Sequence, residues 1–513
     1  MERLNNSFLQ KVGLPTNVQG PAAGWQDLPV KVIQFGTGVL LRGLPDYFID
    51  KANREGVFNG RIVVVKSTSS GKTDSFEEQD GLYTLCVKGI DKGKEVEEIS
   101  VNASIKEVLA ASDRWREILR YAEEPQLRIV ISNTTEVGIS YDENDDITWS
   151  PPSSYPGKLL AFLYKRFQHF GGDDEAGMVI LPTELISDNG EKLKEVVLRL
   201  AKRHQLDAAF VKWLKEANYF CNTLVDRIVP GKLPYGEQEK MQERLGYRDE
   251  LMIMAEPFRL WAIEGKNPKV AEILSFSTVD DGLIISEDIT KFKELKLRLL
   301  NGTHTFSCGL AVLAGCETVK AAMTDPVLEG FIKGLLMEEI VPTVVSRGGI
   351  EAKEATVFAE KVLDRFRNQS LDHKWINITL NYTSKMEMRN VALIKSFYQA
   401  FGAAPELMAL GFAAYILFMK GKRSIDNSYK GYVNNKGYYT INDEQAPLFE
   451  GLWHKEPAQL VETVVHDQRL WKEKLNFPGF KEKVLNYLTL LRDNDIVKVI
   501  EEAVNNKKHS QLN

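Results

Sequence analysis

At 513 residues the chain is long enough for two or three domains, and 43% hydrophobic with 27% charged residues is the balance of a globular protein. A net charge of −6 leaves no basic excess to neutralise phosphates, which argues against nucleic-acid binding. The four cysteines, at 86, 221, 308 and 316, have no metal-ligand spacing and are too few for a disulfide framework, so a reducing, cytoplasmic setting without a bound metal is expected.

The N-terminal stretch has no apolar run and does not read as a secretory signal. Residues 1–29, broken by Pro15, Gly20 and Pro21, read as an arm or loop. Residues 30–35 form a short apolar run, a buried strand. It feeds into Gly36-Thr37-Gly38 and an expected helix over 39–53. Residues 61–66, with three successive valines, read as a second strand. Strand, glycine turn, helix and strand in about 30 residues open a βαβ unit. Phe35 ends the first strand, Gly36 permits the tight turn, Thr37 lies within it, and Gly38 lets backbone approach a pyrophosphate at the helix N-terminus. The usual third glycine falls at Leu41 and is absent; Arg42 and Gly43 follow. The second strand ends in Lys66-Ser67-Thr68, where an acid would bind the ribose of NAD, so NAD and NADP both stay open. Lys66 could pair with a 2′-phosphate.

A helix is expected over 106–121, then a strand over 127–132 that ends in Asn133-Thr134-Thr135-Glu136. Polar residues there face the crevice where cofactors bind, so Asn133, Thr134 and Glu136 join the candidate cofactor set. A helix over 157–170, a strand over 178–182 and helices over 191–203 and 207–217 follow. In 220–230 polar and apolar residues mix without a period, which suggests a functional turn more than an element. Beyond about 290 strand-like runs nearly vanish and helical patterns take over. The apolar run 407–419 is too short to span a bilayer and reads as a buried helix, so no membrane association is expected. The expected architecture is an α/β Rossmann-type domain over 1–288 and a mostly α-helical domain over 289–513.

The stretch Lys296-Leu-Arg-Leu-Leu-Asn301-Gly-Thr-His304 carries the chemistry. At about 100° per residue, His304 lies about 80° and Asn301 about 140° around from Lys296, on one side of a helix. A Lys can move a proton, an Asn can donate to a developing oxyanion, and a His can orient either. The plainer alternative is an amphipathic helix with a surface Lys. Gly302 argues for a special reason, since Gly in a helix costs roughly 1 kcal/mol against Ala.

Three strings coincide with one family. Gly36-x-Gly38 with Arg42-Gly43, Asn222-x-x-x-Asp226-Arg227-Ile228, and Lys296-x-x-x-x-Asn301-x-x-His304 resemble the mannitol dehydrogenase family of polyol-specific long-chain dehydrogenases. Longer strings, among them Asp80-Gly-Leu-Tyr83, Ser132-Asn-Thr-Thr-Glu136 and Ser154-Tyr-Pro156, resemble the branch that interconverts a keto-uronate and its aldonate. The resemblance implies a Rossmann-type domain followed by a helical one, NAD as cofactor, no catalytic metal, and a small keto-uronate or aldonate as partner. It also implies Lys296 as general acid/base, Asn222 and Asn301 as donors that polarise the carbonyl, and His304 as a substrate-orienting group. The segment after Arg365-Phe366-Arg367-Asn368 then lines the substrate site, with His373, Lys385 and Arg389 as cations for the substrate carboxylate. Lys293 departs from the family's mannitol enzymes, which have a proton-relaying Glu there. Fructuronate or mannitol as substrate, and a nucleotide-binding protein without redox chemistry, are the alternatives.

Overall fold

Six short apolar runs make the central sheet of the N-terminal part: β1 (Val30–Phe35), β2 (Arg61–Lys66), β3 (Ile105–Ala110), β4 (Ile129–Ser132), β5 (Val179–Pro182) and β6 (Tyr219–Phe220). The structure is a computed structural model that describes residues 1–67, 73–134, 138–233, 236–433 and 437–512. The strands lie in the order β3-β2-β1-β4-β5-β6, and every neighbouring pair is parallel. Phe35 is level with Val65 on one side and Ser132 on the other. The strand order therefore reverses between β1 and β4, the place where a doubly wound sheet takes a dinucleotide. Alternate residues supply two cores: Val32, Val64 and Ile131 on one face, and Ile33, Val63, Val65 and Val130 on the other. Burial of both faces explains why these strands read as unbroken apolar runs. This sheet belongs to a unit made of Met1–Lys88 and Glu95–Ile289.

Several expectations need correction. The helix over 39–53 is two helices, Val39–Gly43 and Pro45–Arg54. Pro45 has no N–H and pushes the preceding residue out of the α region, and Leu44 is at φ −134°, ψ −75°. The helix over 106–121 starts only at Ala111, because residues 105–110 are β3, an edge strand. A six-residue run with two charges is too short for its period to separate strand from helix. The segment 220–230 is not a free turn: β6 ends there, and Thr223–Asp226 pairs antiparallel with Leu260–Glu264. Tyr83–Asp91 and Lys94–Asn102, which pair in a further sheet with Ile253–Ala255, were not expected.

Asp46, in the first turn of Pro45–Arg54, is fully buried, and burial pushes its carboxyl up to about 8 despite Gln34 and Arg42 nearby. Among the described residues Asp46 Oδ1 and Gln34 Oε1 both lack partners, and a proton on Asp46 supplies a missing donor. The folded state thus keeps a proton that the unfolded chain loses near 3.8. Stability falls as pH rises between these values, by several kcal/mol at about 1.4 kcal/mol per pH unit. Thermal melts of Asp46→Asn should lack this fall, so wild type should lose Tm relative to the variant from pH 5 to 8. Parallel curves would show Asp46 ionised in the folded protein.

The second unit comprises Gly89–Lys94 and Thr290–Asn513. Three of its helices contain a π-helical stretch. Leu295–Gly302 joins Thr290–Glu294 to Thr303–Leu313, Leu335–Ile340 joins Pro326–Gly334 to Val341–Ser346, and Met386–Val391 joins Tyr382–Lys385 to Ala392–Phe401. The run 407–419 forms the buried helix Glu406–Phe418. The buried Glu339 carboxylate accepts the N–H groups of Glu406, Leu407 and Met408, each at 2.9 Å, and so closes that helix's N-terminus. The unit is mostly helical, as expected, with one small sheet that was not: Gly421–Arg423, Tyr429–Val433 and Gly437–Ile441 pair antiparallel. Their glycines, lysines and exposed tyrosines hide the apolar alternation that marks a strand. No described helix is long and apolar enough to cross a membrane.

Candidate functional site

At the strand-order reversal Gly36 has φ +127°, and a Cβ there would meet the Asn133 carbonyl oxygen at 2.9 Å and Leu41 Cδ1 at 3.0 Å. Only Gly fits this conformation and approach. Leu41 thus fills the space that a third glycine would leave. Phe35 is buried beneath the turn, Thr37 is half-buried, and Gly38 is exposed as the residue that begins the short helix. Asn133 Nδ2 donates to Thr183 O at 3.1 Å and Oγ1 at 2.9 Å. The backbone N–H and the hydroxyl of Thr134 donate to Glu184 Oε1, and Ser132 Oγ donates to Oε2 at 3.1 Å. The buried Glu184 therefore shapes the loop after β4, a role its place after β5 left unread. Lys66 ends β2, half-buried and level with Ala110. Glu136 lies outside the described residues.

Arg42, which follows the glycine turn and belongs to the candidate cofactor set, is turned inward. Its guanidinium is buried, donates to Leu251 O at 2.6 Å and lies over the rings of Phe76 and Tyr83. Burial holds its pKa below the usual range. These contacts tie the helix Val39–Gly43 to the core.

Asn222 follows β6, and its side chain is positioned by what it holds. Oδ1 accepts from Gly190 N at 3.1 Å and Glu191 N at 3.2 Å, capping the helix Asn189–Arg203 from another segment. Asp188, at the helix start, makes no side-chain cap. Nδ2 donates to Glu264 Oε2 at 3.3 Å, which leaves one N–H of the amide for another acceptor. Asn222→Ala should cost about 0.5–2 kcal/mol through the lost cap. An unchanged denaturant midpoint would mean that the cap contributes nothing.

In the helical unit the π stretch changes the geometry of the Lys296 motif. A π turn hydrogen-bonds i to i+5, so Asn301 stands about one turn from Lys296 and near its face, whereas α geometry separates them by about 140°. Both are half-buried, while Leu295, Leu299 and Leu300 fix the helix in the core. Gly302 has its reason: a Cβ would meet Leu393 Cδ1 at 3.1 Å and Asn390 Oδ1 at 3.3 Å. Arg298 ties this π stretch to another by donating to Met388 O at 3.0 Å and Arg389 O at 2.7 Å.

His304 is buried, stacked on Phe366 with ring centres 4.2 Å apart, and edge-on to His373 at 5.3 Å and Trp375 at 6.0 Å. Its Nε2 has no hydrogen-bond partner among the described residues. Burial, then the charges of His373, Arg365, Arg389 and Lys385, hold it well below the usual histidine range, so the ring is neutral. His373 is lowered by burial, Arg365 and Lys385, and Lys385 by burial and Arg389. Cys308 brings no negative charge, since burial pushes its thiol up to about 12. Lys385 Nζ donates to Ile378 O at 2.9 Å, and Arg389 to Thr305 Oγ1 at 3.1 Å. The structure thus gathers His304, His373, Lys385 and Arg389 into one cluster and adds the buried Arg365; Lys385, Arg389 and Arg365 make it cationic around the neutral His304. Arg365 stood in the quoted Arg-Phe string but was not singled out. Among the described residues no three His, Cys, Asp or Glu side chains come together as a metal-ligand set.

Residues 30–274 match the mannitol dehydrogenase Rossmann domain and residues 288–486 the mannitol dehydrogenase C-terminal domain. The chain is 36% identical over 480 residues to the altronate oxidoreductase of Bacillus subtilis (strain 168), covering 92% of this chain and 95% of that one. It is 36% identical over 486 residues to the altronate oxidoreductase of Shigella flexneri, covering 93% and 96%. Among solved structures it resembles a Pseudomonas fluorescens mannitol 2-dehydrogenase in ternary complex with NAD and D-mannitol, with TM-score 0.67, 24% identity and coverage of 98% and 99%. It also resembles a substrate-free D-sorbitol dehydrogenase, with TM-score 0.75, 22% identity and coverage of 97% and 100%. The protein is a dehydrogenase acting on a CH–OH group, with a Rossmann-type domain for a nicotinamide cofactor. The chain belongs to the mannitol dehydrogenase family.

Proposed function

We propose that the protein interconverts D-tagaturonate and D-altronate with NAD(H). The observation that carries this reading is the cationic cluster around His304, in the same unit as Lys296 and Asn301. A polyol has no charge for such a cluster to meet, whereas a uronate carries a carboxylate. The relatives from Bacillus subtilis and Shigella flexneri are named for altronate, which supports that half of the pair. NAD, when bound, supplies the hydride acceptor for altronate, and NADH the donor for tagaturonate. Phe35, Gly36, Thr37, Gly38, Asn133 and Thr134 are the residues proposed to hold it, and Gly36 fits a close backbone approach.

Lys296 gives a proton to the carbonyl oxygen in reduction and takes it back in oxidation. Asn301, about one turn away on the π stretch, donates to the same oxygen as charge develops. Asn222 is the second amide, through the N–H that Glu264 does not use. Losing one such donor costs about 10²–10³ in rate. His304, neutral and unpartnered at Nε2, orients a substrate hydroxyl. No step requires a metal.

NADH consumption with D-tagaturonate, followed by absorbance, tests the reading. Turnover should exceed that with D-fructuronate and D-fructose. A preference for fructose would overturn the uronate assignment, and binding without turnover of any keto-sugar would leave only nucleotide binding. With tagaturonate, kcat/KM for NADH should exceed that for NADPH. The reverse order would make Lys66 a partner of the 2′-phosphate.

A further inference from the structure

A cavity of about 860 Å³ opens at the far end of the helix that carries His304. Leu313, in its wall, stands nine residues beyond His304, roughly 14 Å along the axis at 1.5 Å per residue. The cavity is therefore separate from the cationic cluster. Its walls bring Lys420, Lys422 and Arg492 together with Tyr432, Trp453 and Asp493. Lys420 Nζ lies 5.0 Å from the centre of the Trp453 ring, and Trp453 Nε1 is buried with no hydrogen-bond partner among the described residues.

Two further acids in the wall are already engaged. Glu450 accepts from Arg423 N, and Asp495 accepts from Val497 N and Lys498 N at the start of the last helix. Burial and the like charges of Arg492 and Lys422 lower the pKa of Lys420. Arg492 lies in the last turn of its helix, where cations are favoured, and Lys420 follows the C-cap Met419 of another. That accounts for neither Lys422, exposed like Lys420 and Arg492, nor the unpartnered indole.

The volume suits a small metabolite. Two aromatic faces, an unpartnered donor, a carboxylate and three cations suit a molecule rich in hydroxyls that ends in one anionic group. We propose that this cavity binds a polyhydroxylated anion, a sugar phosphate or a sugar acid. Lys420, Lys422 and Arg492 hold the anionic group, Trp453 Nε1 donates to a hydroxyl, and Asp493 accepts from one.

Calorimetric titration of the intact protein with D-glucose 6-phosphate and with D-gluconate tests this and separates the two anion types. At least one probe should bind saturably. Lys422→Glu, at an exposed position that the fold does not need, should weaken that binding at least about tenfold, the loss of one charge-assisted hydrogen bond. Turnover of the keto-uronate should stay intact in that variant, and Lys385→Met should leave the probe's affinity unchanged. Absence of saturable binding by both probes would overturn the proposal. So would an affinity indifferent to Lys422→Glu, or binding lost with Lys385→Met, which would assign the anion to the catalytic cluster.

Discussion

Lys296→Ala will lose about 10²–10⁴-fold in turnover, the range for removal of a general acid/base, while NADH still binds. The proposed oxyanion meets two neutral amides and one lysine, so no other side chain in this reading supplies the proton. Lys296 also sits on a stretch with buried Leu295, Leu299 and Leu300, and its own half-buried side chain can be shortened without opening the core. The loss should therefore appear in kcat, with the melting temperature within a few degrees of wild type. Lys296→Arg should not restore the rate, because a guanidinium stays protonated and cannot take a proton from an alcohol. NADH binding, followed by fluorescence titration, separates a chemical defect from a misfolded one. Near-normal turnover in Lys296→Ala would remove this residue from the mechanism and return the motif to ordinary helix packing.

How far such residues could be read without coordinates depended on how local their signals are. The βαβ opening was legible because strand, glycine turn and helix lie within a few dozen residues, each with its own pattern. The order β3-β2-β1-β4-β5-β6 was not, since it depends on pairing between distant runs. The π stretch at Leu295–Gly302 was also hidden, because it uses the same apolar residues as an α-helix and differs in hydrogen-bond register. Yet this register brings Asn301 toward the face of Lys296. The inward turn of Arg42 was not legible, because a motif says where a residue falls in the chain and not which way it turns. Arg365 was not singled out because nothing in the sequence separates it from Arg367, which bonds Glu329. Burial separates the one from the other, and it appears only after folding.

The cationic cluster makes the sharpest distinction between a uronate enzyme and a polyol enzyme. Burying cations side by side costs free energy unless an anion joins them. Lys385 bears that cost in a lowered pKa, from burial first and the Arg389 charge second, and the neighbouring His373 is lowered by burial, Arg365 and Lys385. A substrate carboxylate relieves it, and a neutral polyol does not. Lys385 is the best position to test. It is half-buried, and its Nζ is held by Ile378 O at 2.9 Å, which still leaves it donors for a ligand. A charge-assisted hydrogen bond is worth roughly 1.5–3 kcal/mol, so Lys385→Met should lower kcat/KM for D-tagaturonate by about 10- to 150-fold. Met keeps most of the apolar stem, so packing against the helix is preserved. Activity on D-fructose, however weak, should change less than about twofold, because no carboxylate is there to lose. Arg389→Met should show the same selectivity with a smaller ratio, since its guanidinium already donates to Thr305 Oγ1 at 3.1 Å. His373→Gln should act mainly through KM, because a neutral ring can orient the carboxylate without holding its charge. Equal losses on tagaturonate and fructose in Lys385→Met would show that this lysine shapes the pocket without reading the substrate's charge.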